Sequence, residues 1–474
     1  MNAFSLILPE PQWVNDIHSR LNPTLVAQIL SPNSTAGVIQ IVRESRDKGM
    51  SLSAAGGRHA MGGQQFGADT LLCHMTCLDG VRNFDADQGH IEAGAGIQWP
   101  ALIDFLESCQ QGRAQPWTIA QKQTGANALS LGGAVSTNIH GRGLRMQPLV
   151  SDIEALELVD AQGELRRCSR AENPALFRLV CGGYGLFGIV TAVTLRLVPR
   201  RKLRRIVEIV EVQDLMARFA QRIEAGFLYG DFQYVTDETS PDFLRRGVFS
   251  CYEPVENETP FPEQKKHLTT ENWRHLAYLA HTDKARAFDA YSQHYLSTSG
   301  QIYWSDRHQE AVYLDDYHQG LNKDAASASE VITEIYVPHG RLPDFLAETA
   351  ADFRAHGVNL IYGTVRLIEK DTESFLTWAK EAYACVIFNL HVEHTPEGIS
   401  QSGHDFQRLI DMAIRRGGSF YLAYHRHATR AQLEACYPQF AEFLRLKIRH
   451  DPEERFVSDW YRHSQTLFPE IQTQ

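Results

Sequence analysis

Apolar residues in the first part of the chain alternate between helical and strand-like spacing. They recur at helical spacing over residues 34–49, where Ser34 precedes the first turn and Gly49 ends the pattern. A second helix is predicted to begin at Trp99-Pro100 and end at Gly112, since proline favours the first helical turn and glycine the position after the last. Short apolar runs predict strands between and beside these helices, at 51–55, 69–75, 81–84 and 90–94.

Between residues 150 and 200 the pattern predicts a hairpin, a short helix and a half-buried strand. The hairpin joins strands at 153–160 and 165–168 through the turn Gln162-Gly163, and the helix spans 173–180. Over 193–197 apolar and polar residues alternate, which is typical of a strand with one buried face.

The composition changes after Pro199, because residues 201–420 carry most of the aromatic residues and histidines. This part mixes strands with amphipathic helices, which the spacing predicts at 331–337, 362–367, 384–392, 342–353 and 404–415. The sequence therefore predicts an α+β chain with a boundary near residue 200.

The net charge of −11 over 474 residues argues against a nucleic-acid partner, which needs a basic face to neutralise phosphates. We interpret the dense basic run Arg200–Arg205 as a solvated boundary rather than a lipid or phosphate patch. No stretch approaches the roughly 18 apolar residues of a membrane helix, and the N-terminus lacks the cationic start of a signal peptide. We therefore expect a soluble, cytoplasmic protein without an integral membrane segment.

The eight cysteines show no secreted disulfide pattern. Cys73 and Cys77 flank His74, but no second pair of ligands follows at the spacing of a metal site. We expect free thiols at these positions and no metal site.

A glycine-rich loop, SAAGGRHAMGGQ between Ser53 and Gln64, carries the first chemical signal. Glycines are costly to order in helices and strands, but they leave backbone N–H groups exposed in a concave nest that suits a pyrophosphate. His59 stands in this loop and supplies a nucleophilic imidazole beside the nest. A phosphate nest next to a potential covalent anchor favours a flavin dinucleotide.

A second glycine motif, Gly183 to Gly188, spells the GxGxxG dinucleotide fingerprint, but in the wrong context. That fingerprint needs a strand before it and a helix after it, and here the predicted helix precedes and the strand follows. We therefore reject a Rossmann NAD site. Together with the polar, glycine-punctuated segment Thr124–Gly143, three glycine-bearing segments are candidates to converge: 55–64, 124–141 and 182–190.

The order of these segments resembles the FAD-binding domain of the vanillyl-alcohol-oxidase type, the PCMH fold. The matching stretches are AGGRHAMGGQ, PWTIAQKQTGANALSLGGAVSTNIHG and FRLVCGGYGLFGIVTAVTLRLVP. The first is most similar to cytokinin dehydrogenases. The later stretches GGSFYLAYHRHATRAQLEACYPQF and DPEERFVSDWYRH are more similar to decaprenylphosphoryl-ribose oxidase and to sugar-alcohol and aldonolactone oxidoreductases.

The resemblance implies an α+β, two-domain PCMH-type FAD-binding fold with an inserted α+β substrate-binding cap domain. The FAD-binding domain is expected at residues 1–200 and the cap domain at 201–419. A C-terminal segment, 420–474, is expected to return to the FAD domain.

The resemblance also assigns residues to the cofactor. The first loop would hold the pyrophosphate through Ala55, Gly56, Gly57, Arg58, His59, Ala60 and Gln64. Further FAD contacts are implied at Gly125, Ser130, Ser136, His140, Val190 and Tyr421. His59 matches the position where covalent members attach the flavin 8α-methyl group; the alternative is a histidine that only hydrogen-bonds the diphosphate. Bicovalent members add a cysteine within 118–130, which this sequence lacks, so any link is expected to be single.

In the cap, Arg366 matches an active-site arginine of sugar-alcohol oxidases. Asn389 and His391 are two residues apart, so they share one face of a predicted strand near the family's catalytic histidine. Glu334 is a further candidate lining residue. The competing interpretations are a structural ion pair for Arg366 and a core position for His391.

The sequence departs from the family at Tyr424, where members commonly have a lysine near the flavin. A phenol can donate a hydrogen bond or relay a proton, but it brings no fixed positive charge. We predict an FAD-dependent oxidoreductase that transfers hydride to flavin N5 from the CH–OH group of a small polar polyol, sugar or lactone-like substrate. Dioxygen or another acceptor would then take the electrons. The alternatives are cytokinin-like amine oxidation, reduction of a C=C bond, or a flavin-bearing electron-transfer or assembly subunit.

Overall fold

The computed structural model describes residues 10–310 and 327–471. The first nine residues, which contribute to the signal-peptide prediction, lie outside the described residues. The helix predicted first is confirmed as Thr35–Asp47: Ser34 Oγ accepts a hydrogen bond from the Gly37 N–H and so caps its first turn. Within the described residues, no helix is both long and apolar enough to cross a membrane.

The N-terminal region, residues 10–200, is built around two sheets. One is a three-stranded parallel sheet, in the order Gln28–Leu30, Leu71–His74, Leu52–Ala55. The other is a five-stranded antiparallel sheet, in the order Leu165–Ser169, Ile153–Val159, Ile189–Arg196, His90–Gly94, Val81–Asp85. The strands predicted in this region are confirmed. Two small pairs complete the strands of the region, Gln12–Val14 with Thr24–Val26 and Trp117–Thr118 with Val198–Pro199.

The helices of this region after the first are Trp99–Cys109, Leu131–Thr137 and Pro174–Val180. The middle one lies in the segment 124–143, for which the sequence predicted no helix. Ser130 Oγ accepts from the Gly133 N–H as an N-cap, and the helix buries three residues of one face, Leu131, Ala134 and Val135. The glycine and hydroxyl content hid this short apolar face.

The middle region, residues 201–419, contains most of an eight-stranded antiparallel sheet, called the middle sheet below. Its order is Ile302–Trp304, Lys202–Glu211, Arg246–Val255, Tyr229–Tyr234, Leu360–Ile368, Tyr383–Glu393, Ala328–Pro338, Ser419–Phe420. The helices of the region are Val212–Glu224, Thr270–Thr282, Lys284–Ser297, Leu342–His356 and Pro396–Ile414. The predicted strands and helices of this region are confirmed, although the last helix begins earlier than its predicted start at 404.

The basic run at 200–205 is not the solvated boundary that the sequence predicts. A strand begins at Lys202, and Arg200, Lys202 and Arg205 are buried. Arg200 Nε lies 2.7 Å from Asp306 Oδ2, and Arg205 Nη2 donates to the Tyr252 hydroxyl at 2.6 Å. A carboxylate pairs with Arg200, whereas neutral oxygens of Tyr252 and Thr259 accept from Arg205 and Lys202. These partners lie far along the chain, so the local sequence does not reveal them.

The C-terminal segment, residues 420–471, packs against the parallel sheet and the glycine loop. Its helices are Arg430–Cys436, Phe440–His450 and Asp459–Leu467. Leu52 forms a parallel bridge with Phe456, and the Met61 N–H donates to Ala423 O at 3.0 Å. The residues that complete the glycine loop therefore come from the other end of the chain. The resulting two-domain α+β architecture agrees with the predicted PCMH-type class.

Candidate active site

A cavity of about 1000 Å³ lies between the N-terminal region and the middle sheet. All three glycine-bearing segments predicted to converge contribute to its lining, and we call this part the cofactor end. The opposite part, the sheet end, is lined by the middle sheet and by side chains of the helices Thr270–Thr282 and Lys284–Ser297. The volume is at the upper limit of ordinary ligand pockets, so it suits a large cofactor together with a small substrate.

The glycine loop is packed so closely that side chains cannot be added to it. A Cβ on Gly56 would lie 1.9 Å from Ser130 Oγ, and one on Gly57 would lie 2.0 Å from Ala128 O. The wall here is therefore backbone, which lets a ligand approach the peptide N–H groups. Arg58 follows with a φ of 59°, a left-handed conformation that is costly for a residue with a side chain.

His59 is buried in this wall and stays neutral at ordinary pH. Burial, with the neighbouring His18 adding to the effect, lowers the pKa of His59 to about 3. His18 Nε2 and His59 Nδ1 are 2.7 Å apart, so one of the two rings donates to the other. A neutral imidazole keeps a nitrogen lone pair for bonding.

The cofactor end fits a flavin dinucleotide. Besides the glycine backbone, it presents the buried Thr124 Oγ1, which has no hydrogen-bond partner among the described residues. A ribityl or diphosphate oxygen would satisfy such a group. Twelve of the thirteen predicted cofactor residues line the cavity: Ala55, Gly56, Gly57, Arg58, His59, Ala60, Gln64, Gly125, Ser130, Ser136, Val190 and Tyr421. The thirteenth, His140, lies behind the lining.

The GxGxxG segment also lies in this wall. The helix Pro174–Val180 precedes it and the strand Ile189–Arg196 follows, which confirms the order used to reject a Rossmann site. Gly185, Gly188 and Val190 face the cavity. This segment therefore contributes close backbone approach rather than a helix N-terminus.

The sheet end presents a row of polar side chains on one face of the middle sheet. Successive strands place alternate residues on this face, because side chains in a strand point to opposite sides in turn. Each of these side chains has a buried polar atom without a hydrogen-bond partner in the described part of the chain: Asp231 Oδ1, Gln233 Oε1, Thr364 Oγ1, Arg366 Nε and Nη1, and Asn389 Oδ1. Buried polar groups are rarely left unpaired in proteins, so this face is prepared for a ligand with many hydrogen-bonding groups.

Arg366 stands out in this row because it has no carboxylate partner among the described residues. The residue is 5% exposed, and its Nε and Nη1 have no hydrogen-bond partner there. A buried guanidinium without a partner is costly, and a ligand oxygen would offset that cost. This geometry disagrees with the alternative of a structural ion pair.

Glu334 holds a hydrogen-bond network where the two ends of the cavity meet. The Tyr424 hydroxyl donates to its Oε1 at 2.8 Å, and the Tyr336 hydroxyl donates to its Oε2 at 2.8 Å. His140 Nε2 lies 2.8 Å from the same Oε2, and His140 Nδ1 lies 2.9 Å from Gly141 O. Both carboxylate oxygens of Glu334 are therefore engaged in one network with Tyr424, Tyr336 and His140.

The network fixes the charge of Glu334 and the hydrogen of Tyr424. Burial would raise the pKa of Glu334, but His140, Arg366 and Tyr336 together outweigh burial and lower this pKa to about 2. Burial beside that carboxylate raises the pKa of Tyr424 well above its usual range. Tyr424 therefore remains a phenol whose hydrogen points to Glu334, which leaves its oxygen lone pairs available to the cavity.

His391 and Asn389 share one face, as predicted, but only Asn389 lines the cavity. Asn389 is paired with Ile332, and His391 is paired with Glu330 one step further along the strands. His391 Nδ1 lies 3.5 Å from Glu330 Oε1. The structure therefore brings Tyr424, Arg366 and Asn389 together and leaves His391 outside this group.

Several lining residues were missed by the sequence analysis. Arg142 Nη1 lies 3.2 Å from Asp231 Oδ2, and the Arg205 guanidinium lies over the Tyr303 ring at 4.5 Å. The segment DFQY, with polar residues at alternate positions of an aromatic strand, was the one local signal for Asp231. Arg142 and Arg205 gave none, because their partners come from distant strands.

Lys122 is a second missed group, buried under the cofactor end. Its Nζ donates to Gln123 O at 3.0 Å, and Gln123 Nε2 donates to the Tyr424 hydroxyl at 3.4 Å. Burial and the nearby Arg142 lower the pKa of Lys122 to about 7. A lysine whose charge is not fixed near neutral pH therefore lies near the segment that the resemblance places beside the flavin.

Two family descriptions match the sequence. Residues 26–169 match the FAD binding domain, and residues 193–464 match D-arabinono-1,4-lactone oxidase. The first match covers the glycine loop, and the second covers most of the sheet end together with residues 420–464.

Three curated proteins are similar to this chain at identities of 22% to 31%. Cytokinin dehydrogenase 4 of Arabidopsis thaliana is 25% identical over 90% of this chain and 85% of its own length. L-gulono-1,4-lactone dehydrogenase of Mycobacterium tuberculosis is 22% identical over 92% of this chain and 95% of its own length. Cytokinin dehydrogenase 2 of Arabidopsis thaliana is 31% identical, but the match spans 34% of this chain and 32% of that relative.

Proposed function

Because this chain belongs to the D-arabinono-1,4-lactone oxidase family and carries an FAD-binding domain, it is an FAD-linked oxidoreductase, and we propose that it oxidises a CH–OH group of a polyol, sugar or lactone-like substrate. The supporting observation is the polar row at the sheet end, with its buried unpartnered atoms. Hydroxyl groups both donate and accept, so a polyhydroxylated molecule suits this mixture of amide, hydroxyl, carboxylate and guanidinium groups.

The residues around Glu334 have distinct proposed roles. A bound FAD supplies the acceptor for the hydride that leaves the substrate carbon. The Tyr424 oxygen accepts a hydrogen bond from the reacting hydroxyl, since its own hydrogen is directed to Glu334. Glu334 Oε1 holds the Tyr424 hydrogen and His140 fixes that carboxylate, so the phenol oxygen is oriented to position the reacting hydroxyl.

Arg366 is proposed to bind the oxygen of the reacting hydroxyl or of its neighbour. Negative charge grows on that oxygen as its proton leaves, and a guanidinium fixed beside it stabilises the transition state more than the ground state. Thr364 lies next to Arg366 on the same face, and Asn389 is paired with Tyr362 further along it. Both would fix the register of the remaining hydroxyls.

His59 is proposed to bond the flavin covalently. Its imidazole is neutral and forms part of the loop wall that is proposed to hold the pyrophosphate. Acid precipitation of purified protein should leave the yellow colour in the pellet, and His59→Ala should release it to the supernatant. A wild-type pellet without colour would contradict the covalent link and leave FAD binding intact.

An anaerobic substrate screen tests the proposed function directly. The flavin absorbance should bleach with a member of a panel of polyols, aldoses and aldonolactones, without any protein partner. Bleaching by a cytokinin instead would favour the alternative of cytokinin-like amine oxidation, since this chain is similar to a cytokinin dehydrogenase. Bleaching only after a protein partner is added would favour an electron-transfer subunit.

A further inference from the structure

Three potential metal ligands meet on the middle sheet, beyond the cavity. Glu330 and His391 are directly opposite each other on the strands Ala328–Pro338 and Tyr383–Glu393. His281 approaches from the last turn of the helix Thr270–Thr282. His281 Nε2 lies 3.2 Å from Glu330 Oε1, and His391 Nδ1 lies 3.5 Å from the same oxygen.

The group is enclosed but not sealed. The side chains of His281 and Glu330 are 9% and 6% exposed, whereas that of His391 is 24% exposed. The two imidazole rings are nearly perpendicular, at 79°, with their centroids 5.3 Å apart. An ion could therefore reach the ligands from the His391 side and then be largely shielded from water.

The distances suit a divalent transition metal. Bonds of about 2.0–2.2 Å in a tetrahedral site place neighbouring ligand atoms about 3.3 Å apart. Two of the three separations are close to that value, and all three ligand atoms lie within 4.8 Å of one another. Rotation of the imidazoles about their side-chain torsions would close the third separation.

The ligand types also narrow the choice of ion. Two imidazoles and one carboxylate form a set that binds zinc and related ions, whereas calcium and magnesium prefer oxygen ligands. A second group of similar composition, His140, Glu334 and Cys385, is fully buried in the described structure. Glu334 is already engaged there by Tyr424, Tyr336, His140 and Cys385, so that group belongs to the proposed active site.

We propose that His281, Glu330 and His391 bind one divalent transition-metal ion of the zinc class, with a fourth position open to water. The ion joins the helix Thr270–Thr282 to two strands of the middle sheet. Trp273, on the same helix, lines the sheet end of the cavity. The metal is therefore a clamp that holds one wall of the substrate site, and it takes no part in the flavin chemistry.

The test uses the full-length flavin-loaded protein, treated with a chelator and then dialysed against micromolar ZnCl₂. Elemental analysis should find about one zinc per chain in the wild type. The variants His281→Ala and Glu330→Gln should bind zinc more weakly by a larger factor than the 10–100-fold that loss of an outer-shell partner costs. The matched control is His356→Ala, because His356 also pairs with a carboxylate, Asp352, but has no third ligand beside it in the described structure.

Binding must also stabilise the folded protein. Zinc should raise the midpoint of thermal unfolding of the wild type and of His356→Ala, but not of the two ligand variants. Flavin absorbance and circular dichroism show whether each variant is folded. Wild-type protein that takes up no zinc, or stoichiometric zinc that survives both ligand substitutions, would overturn the proposal. Either result leaves the oxidoreductase function untouched, because that function is tested by flavin bleaching.

Discussion

The two ends of the cavity are built in opposite ways. The cofactor end is mostly backbone, drawn from short contiguous stretches in which Gly56 and Gly57 leave no room for a side chain. The sheet end is made of side chains, one to three from each of six strands, with buried charge at Glu334 and Arg366. A backbone site can be shared by many relatives, whereas a side-chain site can change its specificity one residue at a time.

The strongest test of the backbone end is Gly57→Ala. The added Cβ would meet Ala128 O at 2.0 Å, so the loop must shift, at a cost of about 3 kcal/mol and with loss of bound FAD. Denaturant unfolding and flavin absorbance measure both effects. The control is Gly80→Ala, where nothing lies within 4 Å and a change below about 0.5 kcal/mol is expected. Equal behaviour of the two variants would mean that the loop is not a fitted wall.

At the side-chain end, Arg366→Ala should slow flavin reduction about a hundredfold while the flavin spectrum stays nearly unchanged. The reason is the loss of a buried guanidinium that no described carboxylate pairs with. Rapid mixing without oxygen measures the rate, and Arg366→Lys should recover part of it because the charge returns without the fork geometry. An unchanged reduction rate would return Arg366 to a structural role.

The two ends also differ in charge, because the cofactor end contains the neutral, buried His59. The pH dependence of stability should reveal this neutral imidazole. The pKa of His59 is about 3 in the folded protein and 6.5 for an unperturbed histidine, the value that applies to the unfolded chain. Between these two pH values the unfolded chain therefore binds more protons than the folded protein. The contribution of the neutral His59 to the free energy of unfolding is complete above pH 6.5 and is lost as the pH falls towards 3. By pH 5 this loss is about 2 kcal/mol. Flavin-free His59→Gln should therefore lose less stability than wild type between pH 7 and pH 5. Parallel losses would contradict the neutral buried imidazole.

The smallest expected effect is at the junction of the two ends. Tyr424→Phe keeps the packing but removes the oxygen bonded to Glu334, so flavin reduction should slow at least about tenfold with FAD still bound. Reoxidation by dioxygen should change much less, because the Thr124-Gly125 segment is expected to line the flavin there. Both half-reactions are measured by rapid mixing. A variant that is reduced as fast as wild type would leave Tyr424 as a packing residue.

The same contrast explains what the sequence could predict. The glycine loop and the GxGxxG segment are each one continuous stretch of chain. Their glycine spacing and neighbouring elements could therefore be recognised from the sequence alone. Arg142 and Arg205 were not, because their partners Asp231 and Tyr252 come from other strands. His391 was assigned from its face of the predicted strand and from the resemblance. The face of the sheet on which a strand residue lies follows from the alternation of side chains along the strand. Which residue it is paired with depends on the register between strands, and that register pairs His391 with Glu330, beyond the cavity.

The contact of the glycine loop with the C-terminal segment has a consequence for the order of synthesis. The Ser51 hydroxyl donates to Glu454 O across a separation of 403 residues, and Leu52 bridges to Phe456 next to it. At about 5–20 residues per second, a ribosome needs roughly 20–80 s to make the intervening chain. Until then Leu52, on the edge strand of the parallel sheet, lacks its bridge to Phe456. The glycine loop that follows this strand is therefore incomplete in the nascent chain. The strand that leads into the glycine loop therefore gains its second neighbour only after the segment around Phe456 has been made.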